Sequence, residues 1–442
     1  MLPRLHKKYL ADQRLLIVVP TLLTGKTQAL KTVSQLGTLH AATPHAHFLL
    51  LGDFPDGKEQ FAQTDALTLR AARAAIAALN AHHPNTFHYL HRSRSWDEHQ
   101  QSFCGRERKR GALEDLNLLL CGRECPDAFV YTSRPLSEWK DAYDQVLTLD
   151  ADTFLPPGAA ARMQGALLHP LQKGRIAVIA PRMETLSMHI RTHTQQLLTA
   201  KGGTDGYHRL YPEVYQDVFG QGSFAGKGIY DPRLFLERTG DRLPAGRILS
   251  HDLIEGELAH SACARDIAFF DTQPATISGW QKRLHRWTRG DWQLLPFLFQ
   301  KNLSLLSRYK MYDNLRQSLV PICQLILLVA GAFLQNPFLM LPGLPFPVRG
   351  MGKRLFLLPG KAVTLADAII RSLYRQFISR KHLMDWVTPA QAESGSMPPA
   401  CIFLQLLCGT LLTAASLMPG GVLPGVIPGV MWLCAPIQKD FL

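Results

Sequence analysis

The chain has 442 residues and a net charge of +13 at neutral pH. That length allows two or three domains, and the positive balance suits a nucleic acid, an anionic membrane surface or a phosphorylated substrate. No RNA-recognition signature or zinc-finger spacing is present, so no nucleic-acid partner is expected. The basic clusters Lys301 to Lys310, Arg349 to Arg354 and Arg371 to Lys381 flank apolar stretches, as cytoplasmic membrane flanks do. Eight scattered cysteines form no Cys-x-x-Cys pair and read as reduced packing residues. The basic N-terminus leads to a short apolar run broken by Pro20, with no small-residue cleavage site. No signal peptide is therefore expected, and the first three hundred residues are expected in the cytosol.

Leu15 to Val19 is a continuous apolar run between Arg14 and Pro20, the pattern of a buried parallel strand. A helical segment follows at Lys26 to Leu39, then a strand at His47 to Leu51 that runs into Gly52-Asp53. Residues 65 to 80 carry Ala and Leu at helical spacing, and Thr86 to Leu90 reads as a third strand. Ala128 to Tyr131, Gln145 to Leu149 and Ile176 to Ala180 are further strands. Strands alternating with helices predict an α/β sheet that binds ligands outside the carboxyl ends of its strands. From about residue 300 the character changes. Residues 318–341, 401–418 and 421–435 are candidate membrane spans, the third marginal, against about 20 apolar residues for a bilayer crossing. Residues 365–386 are amphipathic and basic, as in a helix lying in the interface. The alternative is that these are core helices of a large soluble protein. The domain expectation is thus 1–300 for the α/β domain and 301–442 for a membrane-associated helical region.

Three landmarks carry chemistry. Asp150-Ala151-Asp152 follows the apolar stretch Val146 to Leu149. Two carboxylates at a strand end can share a hard divalent cation, which takes oxygen ligands and neutralises a leaving diphosphate; otherwise they form a solvated acidic turn. Asp252, in Leu249-Ser250-His251-Asp252, stands at a helix start. It is either a capping residue, with Ser250 as the other candidate cap, or a general base taking a proton from an attacking hydroxyl. Arg283-x-x-Arg286-Trp287 on a helix brings Arg283 to the same face as Arg286 or Trp287. The indole suits a sugar ring and the guanidiniums suit diphosphate or carboxylates, while the competing description is a basic juxtamembrane helix. Asp53 ends a strand and can accept hydrogen bonds from a nucleoside or cap a turn. The charge run Arg106 to Gly111 is ordinarily a solvated face but could meet phosphates. Gly220 to Gly228 fails the phosphate-loop pattern, with Gln221 where glycine is needed and Gly228 after Lys227, and is expected to be a flexible loop over a sugar site. The histidines at 82, 83, 88, 91 and 99 have no zinc-protease spacing and are expected at the surface.

Asp53, Asp150-x-Asp152, Asp252 and Arg283-x-x-Arg286-Trp287 follow the order of processive inverting glycosyltransferases of family 2. Longer words are more specific. Val19 to Thr24, Glu107 to Gly111, Leu149 to Thr153, Gly226 to Asp231, Leu249 to Leu253 and His285 to Gln293 resemble the glycosyltransferase region of cyclic β-1,2-glucan synthases, glycosyltransferase family 84. So do Arg371 to Arg375 and His382 to Thr388, near the membrane-proximal part. The resemblance implies a GT-A type domain followed by a C-terminal helical membrane region, in a bacterial inner-membrane, multi-pass protein with a cytoplasmic catalytic domain. It implies UDP-glucose as donor, a β-1,2-glucan acceptor, Mg²⁺ or Mn²⁺ as cofactor, and the lipid bilayer as a partner. By position, Thr21, Asp53, Lys109 and Asp150 would bind the nucleotide, and Asp150 and Asp152 the metal. Asp252 would be the base, with Arg283, Arg286 and Trp287 holding the acceptor. Family members are very long and carry modules controlling glucan length and ring closure that this sequence lacks, so the expectation is a split subunit served by separate carbohydrate-active modules, a free-standing transferase or a remnant. A non-catalytic or split subunit that needs a partner chain is the rival expectation.

Overall fold

The computed structural model describes residues 2–10, 12–123, 125, 127–185, 190–192, 195–196, 211–346, 351–385, 399–418 and 425–434. The chain divides into two compact units. The first comprises Met1–His189 and Ala200–Thr272, the second Ile190–Thr199 and Gln273–Leu442.

The first unit is built on an eight-stranded sheet. Its elements begin with β1 (Leu15–Leu22), α1 (Lys26–Ala42), β2 (His47–Asp53), α2 (Gln63–His82) and β3 (Phe87–Arg92). A small pair, β4 (Ser95–Asp97) and β5 (Ser102–Cys104), precedes α3 (Arg108–Leu120), β6 (Phe129–Thr132) and β7 (Gln145–Thr148). Then come α4 (Ala159–Leu167), β8 (Val178–Thr185), α5 (Tyr211–Phe219), β9 (Gly228–Tyr230), α6 (Pro232–Thr239), α7 (Asp252–Leu258) and β10 (Ala262–Asp271). The strand order is β10-β8-β9-β7-β1-β2-β3-β6. The parallel pairs are β1 with β2 and β7, β2 with β3, and β8 with β10.

The run at Leu15 to Val19 forms a central strand because both of its faces are covered. Leu15, Ile17 and Val19 pack with Val33 and Leu36 of α1, whereas Leu16 and Val18 pack with Leu113 and Leu116 of α3. Successive side chains of a strand point to opposite faces, so an unbroken apolar run fits a sheet sandwiched between helices. The parallel register sets Thr21 opposite Gly52 and Leu22 opposite Asp53.

β9 is antiparallel to both of its neighbours, β7 and β8. Its amino end therefore lies at the edge where β7 and β8 have their carboxyl ends, which brings Lys227 to that edge. A short strand fits there only without side-chain bulk: a Cβ on Gly228 would collide with the carbonyl oxygen of Ile179. The glycine-rich stretch thus departs from the expected flexible loop. Gly226, Lys227 and Gly228 are buried, and the last of them enters the sheet.

Two of the histidines expected at the surface are buried. His88 and His91 lie in β3, an inner strand between β2 and β6 whose six residues are all buried. Burial, with Arg134 beside His88 and Arg94 beside His91, pushes each imidazole down to about 3. The strand itself was expected at Thr86 to Leu90, but polar residues on both of its faces concealed that it is buried.

The second unit is helical. It contains α8 (Ile277–Gln293), α9 (Leu305–Phe333), α10 (Pro337–Met340), α11 (Met351–Leu373), α12 (Pro399–Leu417) and α13 (Val426–Cys434). A π-helical turn over Tyr374–Ser379 prolongs α11. Leu328, Met340, Leu355, Leu412 and Trp432 meet in its core, where the Trp432 indole donates to the Leu355 carbonyl at 2.7 Å. Among the described residues one helix, α9, is long and apolar enough to cross a membrane, with mean hydropathy 1.6. The expected span 318–341 is not one helix: α9 stops at Phe333, Gln335 has φ 50°, and Asn336 caps α10. The helix also begins earlier than expected, capped by Ser304, whose hydroxyl accepts from the Ser307 amide. The span 401–418 corresponds to α12. Of 421–435, α13 accounts for Val426–Cys434, and residues 421–424 and 435 lie outside the described residues. The amphipathic segment expected over 365–386 is part of a longer helix that begins at Met351, contains Pro359 and ends where Arg380 turns left-handed; Trp386 lies outside the described residues.

Replacing Gly228 with Ala is expected to destabilise the protein by about 1–3 kcal/mol, the usual cost of forcing a methyl group into a filled space. Urea unfolding reads this as a lower midpoint at an unchanged slope; an unchanged midpoint would show that β9 tolerates a side chain there.

Candidate active site

Four carboxylates and two lysines converge at the carboxyl edge of the sheet. Asp150 follows β7 and stays 38% exposed. Its Oδ1 accepts from Lys109 Nζ at 2.5 Å and its Oδ2 lies 2.9 Å from Lys227 Nζ. Burial opposes the charge, but the two ammonium groups hold the Asp150 carboxyl far below the usual carboxylate range. Lys227, buried, also pairs with Asp271, the last residue of β10. Burial would lower the Lys227 pKa, yet Asp150 and Asp271 raise it well above the ordinary lysine value. Asp271 is itself buried and accepts from the Thr153 hydroxyl at 2.8 Å. Asp152 is exposed and accepts from the Thr272 hydroxyl at 3.1 Å.

Asp252 is the first residue of α7, and its side chain is 33% exposed. The helix is capped by neither Ser250 nor Asp252: its N-cap is His251, with no side-chain cap bond. Asp252 instead faces Gly226, where a Cβ would lie 2.6 Å from Oδ1. Gly226 has φ +74°, a left-handed conformation suited to glycine, and its carbonyl accepts from Lys109 at 2.8 Å. One glycine thus stands beside the candidate base, where a side chain would collide, and holds the lysine of Asp150 through its carbonyl. Lys109, Thr148, Gly226, His251, Asp252 and Glu255 line one cavity.

Behind Asp252, His251 Nδ1 lies 2.8 Å from Glu255 and 3.5 Å from Asp252. Ligand atoms of His251, Asp252 and Glu255 lie within 4.8 Å of one another. Burial disfavours a charged imidazole, but Glu255 and then Asp252 outweigh it and raise the His251 pKa above 6.5.

The remaining expected residues are placed as follows. Asp53 ends β2, buried, with Arg92 reaching both of its oxygens at 2.6 and 2.7 Å. The Thr21 hydroxyl is buried at the end of β1, with no hydrogen-bond partner among the described residues. Arg283, Arg286 and Trp287 are on α8 in the second unit, where the Arg283 guanidinium lies 4.5 Å from the Trp287 ring centroid. One face of that indole is therefore taken by an arginine. Further along α8, burial and the nearby Arg375 push Arg289 down to about 10.

Lys227, Asp271, Arg92 and the His251–Glu255 pair were not singled out from sequence as site residues. Asp271 had a partial signal: like Asp53 it is an acid at the end of a strand, here after Ile267 to Phe270, although Arg265 and Asp266 interrupt the apolar run. The ion pairs that join Lys227 and Arg92 to acids dozens of residues away leave no local pattern.

Comparison with known proteins gives this geometry a family setting. The chain is 33% identical over 444 residues to the cyclic β-(1,2)-glucan synthase NdvB of Rhizobium meliloti, covering 87% of the chain. It is thus homologous to part of that synthase. The match covers 16% of NdvB, so the chain spans a small part of that relative's length. It is also 28% identical over 188 residues to the glucans biosynthesis glucosyltransferase H of Caulobacter vibrioides, covering 39% of the chain and 27% of that protein. No protein-family model matches. A solved mannosyltransferase from Pyrobaculum calidifontis, in complex with GDP-Man and Mn²⁺, shares 11% identity at a TM-score of 0.41, covering 97% of this chain and 88% of that one. The first unit is the α/β domain expected from sequence, built on one eight-stranded mixed sheet.

The His251 pKa is raised on folding, so its contribution to stability is full below pH 6.5 and is lost as the pH rises through the folded value. The thermal midpoint is expected to fall over that alkaline limb, and His251→Gln should flatten it. Parallel pH profiles for parent and variant would refute a charged His251.

Proposed function

We propose that the chain is an inverting glucosyltransferase that moves glucose from UDP-glucose onto a β-1,2-glucan, with Asp252 as general base. The observation that carries this reading is the shared loop: Gly226 leaves no room for a side chain beside the Asp252 carboxylate, and its carbonyl anchors Lys109, which holds Asp150. The candidate base and the lysine that holds Asp150 thereby line one cavity, the kind of fixed arrangement that a direct displacement at a sugar carbon requires.

Asp150 and Asp152 carry the carboxylate oxygens a hard divalent cation, Mg²⁺ or Mn²⁺, takes; Asp152 is exposed, whereas Asp150 would hold the cation only by exchanging a contact with Lys109 or Lys227. When bound, that cation would neutralise charge on the leaving diphosphate. The chain's own residues do the rest. Lys109 adds positive charge beside Asp150, while Asp53 and Thr21, at adjacent strand ends, are assigned to the nucleoside. Asp252 accepts the proton of the acceptor 2-hydroxyl as its oxygen bonds to the anomeric carbon. The bond from that carbon to the phosphate oxygen breaks, and UDP leaves with the electron pair. One displacement inverts the configuration. Glu255 takes the nearer contact to His251, 2.8 Å against 3.5 Å for Asp252.

Arg283, Arg286 and Trp287 are assigned to the acceptor. Membrane association is supported by α9 and by α11 with its π-helical extension, where Ile370, Tyr374, Phe377 and Ile378 are exposed at i, i+4, i+7 and i+8 beside Arg371 and Arg375. The proposed setting is a bacterial inner membrane, with the first unit on the cytoplasmic side. A second reading rests on the small share of NdvB that the chain matches: donor and glucan are bound, but turnover requires a partner chain.

Membranes carrying the chain, given UDP-glucose and Mg²⁺, are expected to release UDP and form β-1,2-linked glucan, identified by linkage analysis. Asp252→Asn should lower turnover by about 10²-fold or more while UDP still binds. Turnover near the parent rate in Asp252→Asn removes that residue as the base; binding without turnover in the parent favours the partner-chain reading.

A further inference from the structure

We propose that Lys227 is a phosphate-binding residue of the donor site and that Asp271 is the positioning residue that aims it. This rests on the reading that the site takes a nucleoside diphosphate sugar.

The argument starts from an imbalance between the two partners of Lys227. Asp271 is enclosed, its side chain 4% exposed, and Thr153 holds its other oxygen at 2.8 Å. Asp150 is 38% exposed, and its oxygen lies 2.9 Å from the same ammonium. One enclosed carboxylate already neutralises a buried lysine. The second contact brings Lys227 to the open side, next to Asp150 and opposite Lys109.

Charge at this edge calls for such a residue. Asp150, Asp152, Asp252 and Asp271 gather here, and a diphosphate approaching carboxylates alone would be repelled. Lys109 and Lys227 are the cations that contact Asp150 directly. An ammonium is a compact point charge able to address phosphate oxygens from several directions. The backbone is built to deliver it: Gly226 adopts a left-handed turn, Gly228 starts the antiparallel β9, and β10 ends in the acid that receives Lys227.

The test measures UDP and uridine binding to the full chain in detergent by calorimetry, with Mg²⁺ and with EDTA. Lys227→Met is expected to weaken UDP binding by about tenfold or more in both buffers and to leave uridine binding unchanged. Asp271→Asn should move UDP affinity in the same direction and raise the KM for UDP-glucose more than it lowers kcat. Because Lys227→Met alone strands the enclosed Asp271 carboxylate, the double variant Lys227→Met with Asp271→Asn is measured too, since it removes both charges at once. It should unfold near the parent temperature and still lose UDP affinity. Parent-like UDP binding in the folded double variant overturns the proposal while the donor-site reading stands. If the parent itself binds no UDP, the donor-site reading fails and the proposal falls with it.

Discussion

The lysine that bridges Asp150 and Asp271 joins three separate strand ends into one edge. Asp150 closes β7, Lys227 precedes β9 and Asp271 closes β10. Such a meeting needs β9 to run against its neighbours, because a parallel strand would present its amino end at the opposite edge of the sheet. Reversal alone is insufficient, since the strand has to enter between β7 and β8 without displacing them. The glycine at 228 meets that steric demand, and the glycine at 226 allows the turn before it. The Gly-Lys-Gly word is therefore a backbone device that delivers one charge.

A second buried cation organises the other end of the edge. Arg92 closes β3 and reaches Asp53 with two hydrogen bonds, Asp115 at 2.9 Å, and the carbonyls of Arg106 and Arg108 at 2.9 and 3.0 Å. Enclosed guanidinium is costly unless its donors are matched, and here the backbone of the basic run supplies part of the match. That explains why residues 106–111 are not simply a solvated charge cluster. Their carbonyls are drawn inward, α3 starts from that point, and Lys109 on its first turn is directed at Asp150. The acid at the end of β2 is thus connected to the acid after β7 through Arg92, the 106–108 backbone and Lys109.

What could be read from the sequence follows from the range of each interaction. The apolar run at Leu15 to Val19 and the strand ending at Asp53 are local patterns, legible because burial on both faces imposes an unbroken apolar word. Asp150, Asp152 and Asp252 stood out because acids beside strand ends and helix starts are local as well. Lys227 carries no local signature beyond its glycine-rich surroundings, since its partners lie at positions 150 and 271. His88 and His91 looked like surface residues because β3 carries polar side chains on both faces, and only the pairing of β3 with β2 and β6 buries them. In the helical unit, hydropathy located the apolar stretches but not their breaks: the left-handed Gln335 and the Asn336 cap interrupt a run that remains apolar on both sides.

Asp271 anchors Lys227 and is also the second-to-last residue before the chain enters the second unit at Gln273. The intervening Thr272 donates to Asp152, Thr153 donates to Asp271, and Phe154 bridges Phe270. Both aspartates of the Asp-x-Asp word therefore meet the end of β10, Asp152 through Thr272 and Asp150 through Lys227. A shift of that strand end would change the hydrogen bond of Asp152 and the counter-charge of Asp150 together, because Lys227 and Thr153 share one carboxylate. The exit from the first unit is consequently part of the acidic edge itself, and changes at positions 270–272 belong with changes at 150–152 when the site's charge is considered.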